Sequence, residues 1–254
     1  MVKDKRGVFM KNYKMLIQYD GGEFKGWQRL GNSENTIQGK IEAVLSKMTG
    51  EPVEIVGSSR TDAGVHALGQ VANFKAAVDL SEAKIKEYLN HYLPRSISVV
   101  KVTVTSERFH ARYHAKAKTY LYKIWNEAHG NPFMRKYTMH VERRLDLEKM
   151  RDACQYFIGE HDFAVYANAK STKKDTVRNI YSLDVEEDAG MIQIRICGTG
   201  FLYNMARKMV GTLIEVGLGD KEAEAIPGIL LAKERSETGG IADAGGLYLE
   251  KIEY

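Results

Sequence analysis

The apolar residues between Tyr13 and Val104 switch repeatedly between a strand period and a helix period, and that succession restricts the fold more than any other feature of the chain. Tyr13 to Tyr19 alternates as a strand does, and Asp20-Gly21-Gly22 supplies the turn that ends it. Asn35 or Thr36 caps a helix in which Ile37, Ile41, Val44, Leu45 and Met48 share one face, and Gly50 stops it. Val53, Ile55 and Val56 read as the end of a strand, and Gln70 to Phe74 as another. Asp79 and Glu82 stand at capping-box spacing before a second helix, with Ile85, Leu89 and Tyr92 or Leu93 inward and Pro94 beyond its end. Ile97 to Val104 reads as a further strand. Strand, helix, strand, strand, helix, strand is an α+β pattern of one domain's length.

The remainder mixes the two periods again. Lys118 to Trp125 alternates, with Tyr120, Tyr122 and Ile124 toward one face and Leu121, Lys123 and Trp125 toward the other. A helix starting at Asp146 places Leu147, Met150, Cys154 and Phe157 on one side and ends at Gly159. Ile180 to Val185 and Met191 to Cys197 predict hairpin strands joined through Glu186 to Gly190. Gly200 to Gly217 carries the strongest helical pattern, with Leu202, Met205, Met209, Leu213 and Val216 inward. Pro227 begins a shorter helix through Lys233, and Gly246 to Leu249 closes as a strand. The expected fold class is therefore α+β, in two mixed halves with antiparallel sheets, residues 1–107 and 108–254.

Within the first half one loop concentrates reactive groups. Gly57-Ser58-Ser59-Arg60-Thr61-Asp62-Ala63-Gly64-Val65-His66-Ala67 packs a carboxylate, a guanidinium, hydroxyls and an imidazole among residues small enough for a ligand to approach the backbone. One reading is a reaction site. The other is a turn in which Asp62 bonds the amides of Ala63 and Gly64. Phe24, Lys25, Trp27 and Arg29, around Gly26, also have two readings: contact with nucleic acid, or Trp27 and Phe24 anchoring a loop on the core. His66 either packs and orients its loop or touches a ligand's phosphate.

With 254 residues, 44% hydrophobic and 28% charged, the chain has the composition of a soluble globular protein with a sizeable core. A net charge of +4 permits an anionic partner without requiring one. Basic residues gather at Arg112, Lys116, Lys118 and Lys123 beside His114, and at Lys170, Lys173, Lys174 and Arg178. Each group reads as a solvated face or, at Lys116, Lys118, Lys170, Lys173, Lys174 and Arg178, as contacts to an anionic backbone, and Lys170 to Lys174 as a mobile loop. Cys154 and Cys197 are too few and too far apart for a disulfide framework or a zinc site, which points to a reducing compartment. Met1 to Lys11 has no apolar core of signal-peptide length, and no apolar run approaches a membrane span. The expectation is a cytoplasmic protein with no membrane partner.

Arg60-Thr61-Asp62-Ala63-Gly64-Val65-His66-Ala67, after Tyr19-Asp20-Gly21 and Gly26-Trp27-Gln28-Arg29, resembles the TruA family of tRNA pseudouridine synthases. The similarity continues in the same order through Phe109-His110-Ala111-Arg112, Tyr120-Leu121-Tyr122, Val177-Arg178-Asn179, Met205 to Gly211 and Gly246-Leu247-Tyr248-Leu249. The resemblance implies the pseudouridine synthase fold, two α+β halves joined across a central basic cleft, in a homodimer. It implies isomerisation of uridine in the anticodon arm of tRNA, without a cofactor. By position Asp62 matches the catalytic aspartate, Arg60 the basic residue two before it, Tyr120 the active-site tyrosine, and Arg207 the arginine that pairs with the aspartate.

Pseudouridine formation breaks the N1–C1′ bond, turns the uracil, and joins C5 to the same sugar carbon. A carboxylate can serve as nucleophile, base or electrostatic stabiliser of positive charge at the sugar carbon, and Asp62 is assigned as nucleophile or general base. Arg60 would fill the gap or hold the flipped nucleotide, and Tyr120 would stack on the detached uracil or move the C5 proton. Without the resemblance Arg60 and Arg207 read as ordinary surface charges, and Tyr120 as a half-buried strand residue. The chain departs from the family at Ser59, where glycine is common, and Tyr166 to Asp175 carries no match. Rival readings are the same reaction on structured ribosomal RNA, and a non-catalytic RNA-binding or RNA-folding protein. A glycoside hydrolase would need a second positioned carboxylate, and none stands out beside Asp62.

Overall fold

A computed structural model describes residues 9–167, 175–232 and 234–254. Lys170, Lys173 and Lys174, with the mobile loop expected there, and the helix end expected at Lys233 lie outside the described residues. The chain divides into two compact units, one running to Lys116 and including Leu249–Tyr254, the other Ala117–Tyr248. The sequence division at residue 107 falls inside the first unit, and the last strand returns to that unit.

The first unit is built on strands β1 (Lys11–Tyr19), β2 (Ile55–Gly57), β3 (His66–Ala76) and β4 (Ile97–Thr105). β1 lies antiparallel between β3 and β4, pairing Met15 with Ala72 on one side and Val102 on the other. β2 adds a short antiparallel ladder, Ile55 with Phe74 and Gly57 with Ala72. The last strand, β10 (Leu247–Glu253), neighbours β3 as well. At Gly69 a Cβ would stand 2.3 Å from the Glu250 carbonyl oxygen, so the two backbones meet where only glycine fits. β3 begins at His66 rather than at Gln70 because its early residues are also paired, Ala67 with Tyr19 of β1.

Two helices complete the unit. Helix α1 (Ile37–Thr49) is capped by Thr36, whose side chain accepts from the Gly39 amide, and ends on Gly50 at φ 77°. Helix α2 (Glu82–Tyr92) is capped by Ser81, which accepts from Lys84 N. The cap expected at Asp79 moves because the Glu82 carboxylate is engaged elsewhere, accepting at 2.6 Å from the Val104 amide of β4. Met15, Ile17, Ile37, Ile41, Leu45, Ile85 and Leu89 are buried, and Tyr13 stacks on Phe74 with centroids 5.1 Å apart.

In the second unit β5 (Ala117–Trp125), β9 (Met191–Gly198), β8 (Val177–Asp188) and β7 (Gly159–Asp162) lie antiparallel in that spatial order. A two-residue β6 (Met139–His140) runs parallel to β5. The β8–β9 hairpin is longer than its apolar pattern suggests, turning tightly at Ala189 and Gly190, both at positive φ. Helix α3 (Leu147–Gln155) is capped by Asp146 and ends four residues before Gly159. It packs on β8 and on α4 (Met205–Gly217), the most buried helix. α4 starts later than Gly200 because Asn204 takes a left-handed conformation, φ 64°, that no helix propagates through. Helix α5 (Ala225–Ala232) follows. Among the described residues no helix is long and apolar enough to cross a membrane.

Candidate active site

Arg60 and Asp62 belong to the first unit, Tyr120 and Arg207 to the second. The Asp62 loop leaves β2 after the ladder has been extended by one bond, Ser58 N to the Val71 carbonyl at 2.8 Å. Residues 62 to 65 then form a turn in which the Val65 amide donates to the Asp62 carbonyl at 3.1 Å, with Gly64 at φ 82°. That is the φ a type II turn requires at its third residue, and it is why glycine follows Ala63. The Gly64 amide donates to the Gly21 carbonyl at 3.2 Å. Arg60 is exposed and Asp62 is half-buried.

The two glycine-containing stretches near the N-terminus are the back wall of this loop. A Cβ on Gly21 would fall 1.9 Å from the Val65 carbonyl oxygen, and one on Gly26 would fall 2.8 Å from that of Thr61. Gly26 is also at φ 98°, a conformation L side chains rarely adopt. The Trp27 amide donates to the Thr61 carbonyl at 2.9 Å. Trp27 and Phe24 are buried, and the indole lies where a Cβ on Gly57 would be, so both aromatics anchor the loop on the core. Arg29 pairs with Glu42 at 3.2 Å and Glu54 at 3.4 Å.

His66, 2% exposed, orients the loop rather than reaching solvent. Its Nδ1 is 3.1 Å from the Gly21 amide and also 3.1 Å from an Asp20 carboxylate oxygen. One nitrogen cannot serve both at once: unprotonated at Nδ1 it accepts from Gly21, and protonated there it donates to Asp20. Either way it ties the start of β3 to the turn after β1.

In the second unit Tyr120 lies on β5 opposite Ile196, buried, with its ring edge-on to Phe201 at 4.9 Å. Arg207 stands in the first turn of α4. Its Nε donates to the Ala242 carbonyl at 2.6 Å while the Ala242 amide donates to the Arg207 carbonyl at 3.2 Å. This two-point latch continues backward along residues 238–242. The Gly239 amide donates to Thr212 Oγ1, the Gly240 amide to Glu215 Oε1, both at 3.0 Å, and Lys208 Nζ reaches Thr238 Oγ1 at 3.1 Å. Tyr122, two residues after Tyr120, donates its hydroxyl to the Asp243 carbonyl at 2.8 Å. Burial raises the affinity of that hydroxyl for its proton, Asp243 raises it further, and the Arg207 guanidinium opposes both.

The basic groups divide. Arg112 and Lys116 are exposed, whereas Lys123 Nζ sits 4.6 Å above the Tyr248 ring. Arg178 is turned onto its own segment, 3.5 Å from Asp175 Oδ1 and bonded to the Val177 carbonyl. Sequence reasoning missed Tyr19, Gln70, Tyr122 and the Gly239-Gly240 pair. A polar amide inside an apolar strand run was the available signal for Gln70; the others are made by contacts distant in sequence.

Two stretches, residues 15–114 and 153–254, match the family model described as tRNA pseudouridine synthase. Arg60, Asp62 and Arg207 lie within them, and Tyr120 lies between. The chain is 61% identical over 245 residues to tRNA pseudouridine synthase A 2 of Bacillus anthracis, covering 96% of this chain and 100% of that protein. It is 62% identical over 245 residues to tRNA pseudouridine synthase A of Bacillus sp. (strain KSM-64), at the same coverage. The corresponding protein of Acetivibrio thermocellus is 42% identical over 245 residues, again covering 96% and 100%. Matched in both units and along nearly its whole length, the chain belongs to the tRNA pseudouridine synthase family.

Proposed function

We propose that the chain isomerises uridine to pseudouridine in tRNA, at the anticodon stem-loop, as a homodimer and without a cofactor. The observation that carries the reading is the Asp62 loop: a half-buried carboxylate on a turn whose neighbours are fixed by backbone bonds from Gly64 to Gly21 and from Trp27 to Thr61. Fixed geometry of this kind lowers the reorganisation a reacting group needs. Asp62 acts as nucleophile at C1′ or as general base. Arg60, exposed two residues before it, contacts the nucleotide that has left its stack, a step costing about a few kcal/mol and least in a loop. Tyr120 and Arg207 are the further substrate-binding residues. The reaction balances within the nucleoside: the N1–C1′ bond breaks, the C5–C1′ bond forms, the C5 proton departs and N1 gains one.

The test is to incubate the purified protein with an anticodon stem-loop transcript and to map pseudouridine in total RNA from cells with and without it. Pseudouridine appearing in the stem-loop, and lost from tRNA in its absence, supports the reading. A loss confined to ribosomal RNA overturns the tRNA assignment, and tight binding without isomerisation overturns the catalytic one. Sedimentation of the free protein as a monomer removes the homodimer.

A further inference from the structure

The β2–β3 ladder ends abruptly beside the Asp62 loop, and one side chain takes over from it. Ile55, Val56 and Gly57 pair with Phe74, Asn73 and Ala72, and Ser58 N reaches the Val71 carbonyl. The next pair in that register is Ser59 with Gln70, yet here the Gln70 side chain takes both backbone groups of Ser59. Its Nε2 donates to the Ser59 carbonyl at 2.7 Å, and the Ser59 amide donates to its Oε1 at 3.3 Å. Oε1 also accepts from the Val71 amide at 3.2 Å, so the two ends of the amide are told apart by their partners.

Through Tyr19 the same amide reaches two residues further along the loop. Nε2 is 3.4 Å from the Tyr19 hydroxyl, which is 2.7 Å from Thr61 Oγ1. Gln70 donates to the Tyr19 oxygen, and the Tyr19 and Thr61 hydroxyls share a hydrogen bond in which either can be the donor. Ser59 and Thr61, on either side of Arg60, are thus pinned to the sheet through one buried amide, and Asp62 follows directly. Gln70 is 0% exposed, and its amide is spent on Ser59, Val71 and Tyr19, so it acts from behind the loop.

We infer that Gln70, acting through Ser59 and through the Tyr19 hydroxyl, is a positioning residue that sets the placement of Arg60 and Asp62 for isomerisation. The inference rests on the function proposed above. A side chain in place of a ladder pair holds the loop at a fixed stand-off from the sheet, where direct backbone pairing would flatten it. Losing the clamp leaves the RNA surface intact and lets the carboxylate drift; a displacement near 1 Å reduces rates by up to about a hundredfold.

The experiment compares wild type, Gln70→Met and Tyr19→Phe by single-turnover isomerisation of a stem-loop transcript at saturating protein, by RNA affinity, and by urea titration to fix the folded fraction. Gln70→Met keeps the side-chain length and loses all its hydrogen bonds. The expected result is a rate about ten- to a hundredfold lower per folded molecule, with RNA affinity within about threefold of wild type. Tyr19→Phe, which keeps the ring beside Trp27, falls in the same sense by a smaller factor. A wild-type rate per folded molecule in Gln70→Met, or a fall wholly accounted for by unfolding, overturns the inference; if that variant does not fold, a wild-type rate in Tyr19→Phe does so. Absence of turnover in wild type sinks the proposed function instead, so the two failures are distinguishable.

Discussion

Replacing Gly211 by alanine tests the latch that holds Arg207. On an open helix surface Gly→Ala stabilises by up to about 1 kcal/mol. Gly228 of α5 meets that description, with nothing within 4 Å of a Cβ built on it. Gly211 does not: its Cβ would stand 1.8 Å from the Gly240 carbonyl oxygen. Restoring an ordinary separation of about 3.5 Å requires residues 239–242 or the helix to retreat by more than about 1.5 Å. The bonds from Gly239 to Thr212, Gly240 to Glu215, Arg207 Nε to Ala242 and Ala242 N to Arg207 cannot survive such a shift together. At about 0.5 to 1.5 kcal/mol net for each bond, less the gain in helix propensity, the loss is roughly 1 to 5 kcal/mol. Urea titration followed by circular dichroism should show Gly211→Ala unfolding about 1 M earlier and Gly228→Ala slightly later than wild type. Isomerisation by Gly211→Ala should fall further than its folded fraction, because the guanidinium loses its carbonyl anchor. A Gly211→Ala protein as stable as Gly228→Ala would refute the reasoning.

Asp62→Asn and Asp62→Ala should abolish pseudouridine formation while RNA affinity stays within about threefold, and full activity in either would end the assignment. RNA affinity should fall steeply with added salt, and Lys116→Ala should reduce the slope of log affinity against log salt by about 0.7; an unchanged slope removes Lys116 from the interface. Alkali should destabilise the fold. Burial pushes the Cys154 thiol from 9.0 to about 12 and the Tyr166 hydroxyl from 10.0 to about 12. The unfolded chain releases these protons first, so stability is whole below the unfolded values and declines as pH rises toward the folded ones. Urea midpoints measured from pH 8 to about 11 should drop, and Cys154→Ala should delay the onset; a flat profile contradicts the burial argument.

Local signals were the legible part of this fold. Thr36 and Gly50 bracket α1 in the sequence as they do in the structure, because a hydroxyl before the first turn and a left-handed glycine after the last act within a few residues. The Asp62 loop was legible as a loop for the same reason, its composition being that of a turn. What the chain concealed was made by partners remote in sequence. Glu82 gave up its capping position to Val104, β3 took as a neighbour a strand from the far end of the chain, β10, and Trp27, readable as a base-stacking ring, went into the core against Gly57. Gln70 showed only as a polar interruption in a strand; its role depends on Tyr19 and Ser59, which no local window contains.

The return of β10 to the first unit has a consequence for how the protein is made. Gly69 is shaped to receive Glu250, the Lys116 amide bonds the Glu253 carbonyl at 2.8 Å, and the Tyr254 hydroxyl bonds the Ala111 carbonyl at 2.8 Å. On the ribosome, therefore, the unit carrying Asp62 emerges first yet stays one strand short until the whole second unit has been translated. Its sheet edge beside Gly69 is open throughout that interval, and synthesis order runs opposite to completion order: the later unit can close before the earlier one is finished.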